Sequence, residues 1–273
     1  MVTIDPTARV SKHAILEEGV EVGPYAIIGE GTKIGAHASI GPFAVLEGRV
    51  EIGAHCVIGP HTIIGAPPQD LSYRGEETAV VIGEGTTIRE FVTIHRATGE
   101  GKTTQIGRAC FIMAYCHIAH NCSIGDGVVM ANGAMLCGHV IIEDWATLSG
   151  LLGIHQFVHL GRLCMVGGLA KVTMDIPPYT LADGHPARIY GLNRVGLKRR
   201  GFSPEKREAI KKIYTFLYRS GLPLRKALEE LPKTGYDMAL VEEIIAFFAR
   251  SKRGVTRWTK GMEDVREDAS FDG

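Results

Sequence analysis

Aromatic residues are scarce in this chain, at 7%, while glycine is abundant, with 34 residues. That balance favours many turns and thin layers of small side chains. An unbroken apolar run of ~18 residues is missing, so no helix is expected to span a membrane. The start, MVTIDPTARV, lacks a basic region followed by an apolar one, which argues against a secretory signal and for the cytoplasm. No GxSxG occurs, so a serine nucleophile elbow has no sequence support. Net charge is zero but uneven. Residues 188–273 carry 19 Lys+Arg against 12 Asp+Glu, a net of +7, leaving 11 against 18, a net of −7, for residues 1–187. Such asymmetry points to a basic end that meets an anionic partner.

What is present is a rhythm of six. From Ile4 the steps Val10, Leu16, Val22, Ile28, Ile34, Ile40, Leu46, Ile52, Ile58 and Ile64 follow, and the frame runs on to Val172. Of its 29 positions, 26 are Ile, Val, Leu or Met; Asp70, Glu76 and Glu100 break it. A helix cannot use this period, because six steps of about 100° spread the aliphatic residues over three faces. A strand can, since every sixth side chain points the same way. The chain must therefore turn within each hexad. Glycine commonly follows the aliphatic residue, as in Val22-Gly23, Ile34-Gly35 and Ile124-Gly125, and is expected to free the backbone for the corner. The fifth position is small (Ala26, Ala38, Ala44, Cys56, Cys110, Cys116, Cys122, Ala134, Cys164) and faces inward. The pattern predicts a solenoid of short parallel strands, three hexads per 18-residue coil. Five of the six cysteines are thereby core filler in the reduced state, and Cys137 has no partner motif.

Two insertions, GAPPQDLSYRGEETAVV and HRATGEGKTTQ, interrupt the rhythm. If both loop out, the hexads at 64, 94, 118, 136 and 154 stack on one face. That stack bears both insertions together with His95, His120, His139 and His155-Gln156, and His117 ends the preceding hexad. Scattered structural histidines need not gather so. Metal ligation by His95, His117 and His120 competes with a general base, and the base suits better because imidazole titrates near neutral pH.

The repeats resemble the hexapeptide-repeat acyltransferases over residues 4–176, and the resemblance implies a mainly β fold, a left-handed parallel β-helix. HIAHNCSIG, PPQDLSYRGE, TIHRAT, GIHQF, MVGG and GLKRRGFS, in that set, are similar to the UDP-N-acetylglucosamine acyltransferases that open lipid A synthesis. This resemblance implies transfer of a 3-hydroxyacyl group from acyl carrier protein to the sugar 3-hydroxyl of UDP-N-acetylglucosamine, with no cofactor or metal, by a homotrimer whose sites lie between subunits. It implies His120 as general base and the Gly138 N–H as oxyanion donor. Gln69, Asp70, His117, His139, His155 and Gln156 fall near sugar and acyl groups, and Asn193, Arg199 and Arg200 near the nucleotide. Gly168, two coils past the His120 hexad, is implied to set acyl length. The chain departs from the family at Ser72, where lysine is common and Arg74 stands nearby, and at Val195, where an acidic residue is common. Whether the acceptor bears a 3-hydroxyl or 3-amino group stays open. A related N-acyltransferase and a carbonic anhydrase-like metal-dependent hydratase are the alternatives.

The remainder reads as a small α-helical domain, residues 188–273 after a solenoid of 1–187. Ser203-Pro204 opens a helix with Ile210, Ile213, Tyr214 and Leu217 at helical spacing, stopped at Gly221. Shorter helices are expected at roughly 223–231 and 237–252, the latter with Leu240, Ile244, Ile245 and Phe248 as its apolar stripe. The last ~20 residues, Trp258 included, read as loosely held.

Overall fold

A computed structural model of the chain describes residues 1–259. Short strands, most of two residues, stack into three parallel sheets of eleven, nine and eight strands. The first runs from Thr3–Ile4, the second from Arg9–Val10 and the third from Ile15–Leu16, so the chain visits them in turn. Partners lie 18 residues apart, as Ile4 with Val22 and Ile118 with Leu136. Across the insertions the offsets grow, pairing Ile64 with Ile94 and Ile94 with Ile118. The hexads at 64, 94, 118, 136 and 154 therefore form one ladder, as the frame predicts. The inward aliphatic residues and the small fifth-position residues make one continuous core, in which Cys56, Cys110, Cys116, Cys122 and Cys164 are buried free thiols.

The corners are built differently from the sequence expectation. Among the described residues, all 16 non-glycine residues with left-handed φ, between 51° and 65°, stand three places after the inward aliphatic residue. Gly23, Gly35 and Gly125, one place after it, are absent from the left-handed set. They are needed for space: a Cβ on Gly35 would lie 2.6 Å from the Ala54 nitrogen of the next coil, and one on Gly125 2.7 Å from Asp144 N. Coils separated by only ~4.8 Å leave no room for a side chain that points along the axis.

The first sheet ends in an antiparallel hairpin, Thr180–Gly184 with Ala187–Leu192, which carries the sheet past the 187/188 division. Helices α1 (Arg194–Arg199), α2 (Pro204–Arg219), α3 (Leu224–Glu230) and α4 (Met238–Arg250) follow. Among the described residues there are four α-helices rather than three; the six-residue α1, with Gly196 inside it, is too short to leave a periodic signal. Ser203 caps α2, which buries Ile210, Ile213, Tyr214 and Leu217 as its spacing predicts. In α4 the buried stripe is Leu240, Val241, Ile244 and Phe247, rotated toward Val241 from the expected one. Apart from Phe247, which packs on His159 at 4.7 Å, these residues form a second core with Leu163 and Tyr179 of the solenoid. Trp258 is not loosely held: it packs on Tyr218 at 4.9 Å and bridges Ile189, with Thr259 N–H bonded to the Ile189 carbonyl at 3.0 Å. The tail beyond residue 259 lies outside the described residues.

Candidate active site

His120 stands at the corner between the second and third sheets, two residues after Ile118, beneath both insertions. Its side chain is 13% exposed. The next residue, Asn121, occupies the left-handed corner position at φ 59°, a conformation asparagine tolerates better than most residues. Asn121 Oδ1 accepts the Thr98 N–H at 3.0 Å, and its Nδ2 donates to the Thr98 carbonyl, also at 3.0 Å. Those two bonds determine which end of the amide is oxygen. The oxygen lies 2.8 Å from His120 Nδ1, so Nδ1 carries the proton of the neutral ring and donates it to Asn121. Nε2 keeps its lone pair.

Nε2 faces Gly138, one coil on. A Cβ there would lie 2.5 Å from Nε2 and 2.6 Å from Cε1, so the imidazole occupies the space glycine leaves. Gly138 is buried, and its N–H donates no hydrogen bond among the described residues. The unprotonated ring nitrogen thus packs against a residue whose backbone donor is unpaired among the described residues. Asp70, from the first insertion, places Oδ2 4.0 Å from His120 Nδ1. The backbone N–H of Ser72 and then its hydroxyl, bonded to Oδ1 at 2.9 and 2.8 Å, hold the Asp70 carboxyl down at about 2, so it is anionic at neutral pH. Ser72, the departure from the family pattern, therefore secures Asp70. Arg74 bonds the loop's own Leu71 and Tyr73 carbonyls.

The other histidines surround this pair. His139 meets the His120 ring edge-on at 5.2 Å and stacks on Phe157 at 4.6 Å. Thr93 Oγ1 lies 2.7 Å from His117 Nδ1, and His117 meets buried His95 edge-on at 5.1 Å. Burial, then the neighbouring His95 and His120, pushes His117 down to about 4. Burial likewise lowers His95 and His139. These rings are neutral hydrogen-bonding walls at physiological pH. Their nitrogens do not converge: His117 Nδ1 is committed to Thr93, and no three metal-binding side chains come together among the described residues. His155 and Gln156 are exposed one coil beyond Gly138, and Gln69 is exposed on the first insertion.

Four expected residues lie elsewhere. Asn193 is buried, with Oδ1 capping α1 at Gly196 N and Nδ2 bonded to the Leu163 carbonyl, each at 2.9 Å. The Arg200 guanidinium lies over the Trp145 ring at 5.2 Å, and Arg199 ends α1. Trp145 and Leu163 mark the corner between the third and first sheets, a different edge of the prism from His120. Gly168, exposed and outside the left-handed φ set, lies at the remaining corner, between the first and second sheets. It is nearer three coils than two from His120, since Val166 pairs through Leu148 and Met130 back to Ile112. The six-residue frame does not show which corner a residue occupies relative to another until the insertions are placed. Asn121 was missed; asparagine at the corner position beside a histidine was its only signal.

Two family profiles match the chain. One described as bacterial transferase hexapeptide (six repeats) covers residues 31–66 and 103–138, and one described as UDP N-acetylglucosamine O-acyltransferase, domain 2, covers residues 175–256. An acyl-[acyl-carrier-protein]–UDP-N-acetylglucosamine O-acyltransferase from Thiobacillus denitrificans is 46% identical over 258 residues, 94% of this chain and 100% of that protein. The chain belongs to the UDP-N-acetylglucosamine O-acyltransferase family. A relative of the same name from Gloeothece citriformis is 52% identical over 169 residues, and the chain spans 61% of its length and 62% of itself in that match. The solved UDP-N-acetylglucosamine acyltransferase from Campylobacter jejuni aligns with a TM-score of 0.89 at 37% identity, covering 94% of this chain and 100% of that one. As in this acyltransferase family, the fold is a left-handed parallel β-helix with a small C-terminal helical region.

Proposed function

We propose that this chain moves a 3-hydroxyacyl group from acyl carrier protein to the 3-hydroxyl of UDP-N-acetylglucosamine, the first step of lipid A synthesis. The observation that carries this reading is His120 Nε2, unprotonated in the neutral ring and packed into the space beside Gly138, whose own N–H is unpaired among the described residues. In the proposed reaction Nε2 takes the proton of the sugar hydroxyl as its oxygen attacks the thioester carbonyl. The Gly138 N–H donates to the tetrahedral oxyanion, where preorganised donors act most strongly. Collapse breaks the C–S bond, and the imidazolium returns its proton to the departing thiolate. Asn121 holds the ring in the required tautomer, and anionic Asp70 on the Nδ1 side favours the imidazolium. Gln69, His117, His139, His155 and Gln156 form the walls against sugar and acyl chain.

Asn193, Arg199 and Arg200, the proposed nucleotide contacts, and Gly168, the proposed length gauge, lie on edges other than that of His120. A homotrimer with sites shared between chains reconciles these positions, since one chain's edge then faces its neighbour's. The basic helical region docks the acidic carrier protein, and soluble nucleotide-sugar and carrier substrates fit a cytoplasmic enzyme. The test is transfer from acyl carrier thioesters to UDP-N-acetylglucosamine. His120→Ala should lose ~10²–10⁴-fold in turnover with near wild-type thermal stability; a variant retaining more than ~10% of turnover removes His120 as the base.

A further inference from the structure

The first insertion carries Asp70 over His120, yet the chain around Asp70 is bonded almost entirely to itself. Ser72 and Tyr73 N–H groups turn back on Asp70, and Arg74 bonds Glu76 and the loop's own carbonyls. Apart from the Thr98 hydroxyl, which helps hold the Asp70 carboxyl down, one side chain among the described residues links residues 67–75 by hydrogen bonds to anything outside the insertion. That side chain is Arg96, the second residue of the second insertion. Its Nε and Nη2 both donate to Tyr73 Oη at 3.2 Å, and its Nη1 donates to the Gly65 carbonyl at 2.8 Å. Its own N–H bonds the Ala66 carbonyl at 3.1 Å. Tyr73 passes the link on by donating to the Glu76 carbonyl at 3.1 Å.

The fold makes a slot for this guanidinium. A Cβ on Gly48, two coils below, would lie 2.8 Å from Arg96 Nη1. Gly65 adopts φ 88°, which turns its carbonyl-bearing segment without a side chain to obstruct the coil. A planar fork that grips a backbone carbonyl with one arm and a phenol with the other two is a property of arginine; lysine, a single point donor, cannot span both.

We infer that Arg96, acting through Tyr73, is a positioning residue that sets the Asp70 carboxylate beside His120. The inference rests on the acyl-transfer reading above. The experiment measures turnover and Michaelis constants of the full-length enzyme with acyl carrier thioester and UDP-N-acetylglucosamine for Tyr73→Phe, Arg96→Lys, Asp70→Asn and the Tyr73→Phe/Asp70→Asn double variant, each with its Tm. Tyr73→Phe should lower kcat about tenfold, the worth of one charge-assisted hydrogen bond. The Michaelis constant for the carrier and the Tm should stay at wild-type values. The double variant should be no slower than Asp70→Asn alone, because Tyr73 then has nothing left to position. Arg96→Lys should resemble Tyr73→Phe. Wild-type turnover in Tyr73→Phe overturns the inference, as does a loss that multiplies with that of Asp70→Asn or that tracks a fallen Tm. Absence of transfer by the wild-type enzyme would sink the acyl-transfer reading itself, a distinct outcome.

Discussion

Adding one methyl group at Gly138 tests the centre of the site. The new Cβ would lie 2.5 Å from His120 Nε2 and 2.6 Å from Cε1, whereas non-bonded heavy atoms settle near ~3.5 Å. The ring must therefore retreat by about 1 Å, and its Nδ1 would stretch or break the 2.8 Å bond to Asn121. Backbone strain does not contribute, since Gly138 lies outside the left-handed φ region. A misplacement of about 1 Å costs ~10²-fold in a positioned reaction, so kcat for Gly138→Ala should fall by about that factor. Overpacking costs about 1–3 kcal/mol, small enough for the chain to stay folded. The assay is steady-state acyl transfer with saturating substrates, alongside a thermal melt. Gly153→Ala is the matched control: it pairs with Met135, one coil on from the strand that leads to Gly138, and a Cβ there meets nothing within 4 Å. The reasoning fails if Gly138→Ala keeps more than a third of the turnover of the control, because the ring and the glycine would then not share one space.

Other outcomes follow from the same geometry. Gly168→Met should shorten the preferred acyl chain by several carbons while activity persists on shorter donors; uniform loss on every chain length would show a folding glycine instead. The apparent Michaelis constant for the carrier should climb with ionic strength, because Lys198, Arg199, Arg200, Lys206, Lys211 and Lys212 act as screened charges, and a flat response argues against electrostatic docking. His117 titrates at about 4 in the folded chain against 6.5 ordinarily. The unfolded chain therefore binds that proton first as pH falls, and stability present above 6.5 is lost toward 4. Urea midpoints should drop more steeply over that window in wild type than in His117→Gln, and parallel curves would contradict the assignment.

The six-residue period alone determined the solenoid, its 18-residue coil, the inward cysteines and the stack that carries the histidines. It could do so because period-two strands force every frame residue to one side, whatever the loops do. The motif resemblance added His120 and Gly138. What only tertiary structure decided is how corners from different coils meet. Glycines read as hinges proved to be spacers between coils, since the left-handed turn falls on residues such as Tyr25, Phe43 and Trp145 that no propensity favours there. Asn121 became visible only once the second insertion folded back to place Thr98 against its amide. Arg96 and Tyr73, 23 residues apart, meet because the first insertion, which holds Tyr73, adds 12 residues to its coil without adding a step to the stack. The separation of Asn193, Arg199 and Gly168 from the His120 edge likewise depends on which corner each hexad reaches. That is a property of the wound chain, and periodicity in one dimension carries no record of it.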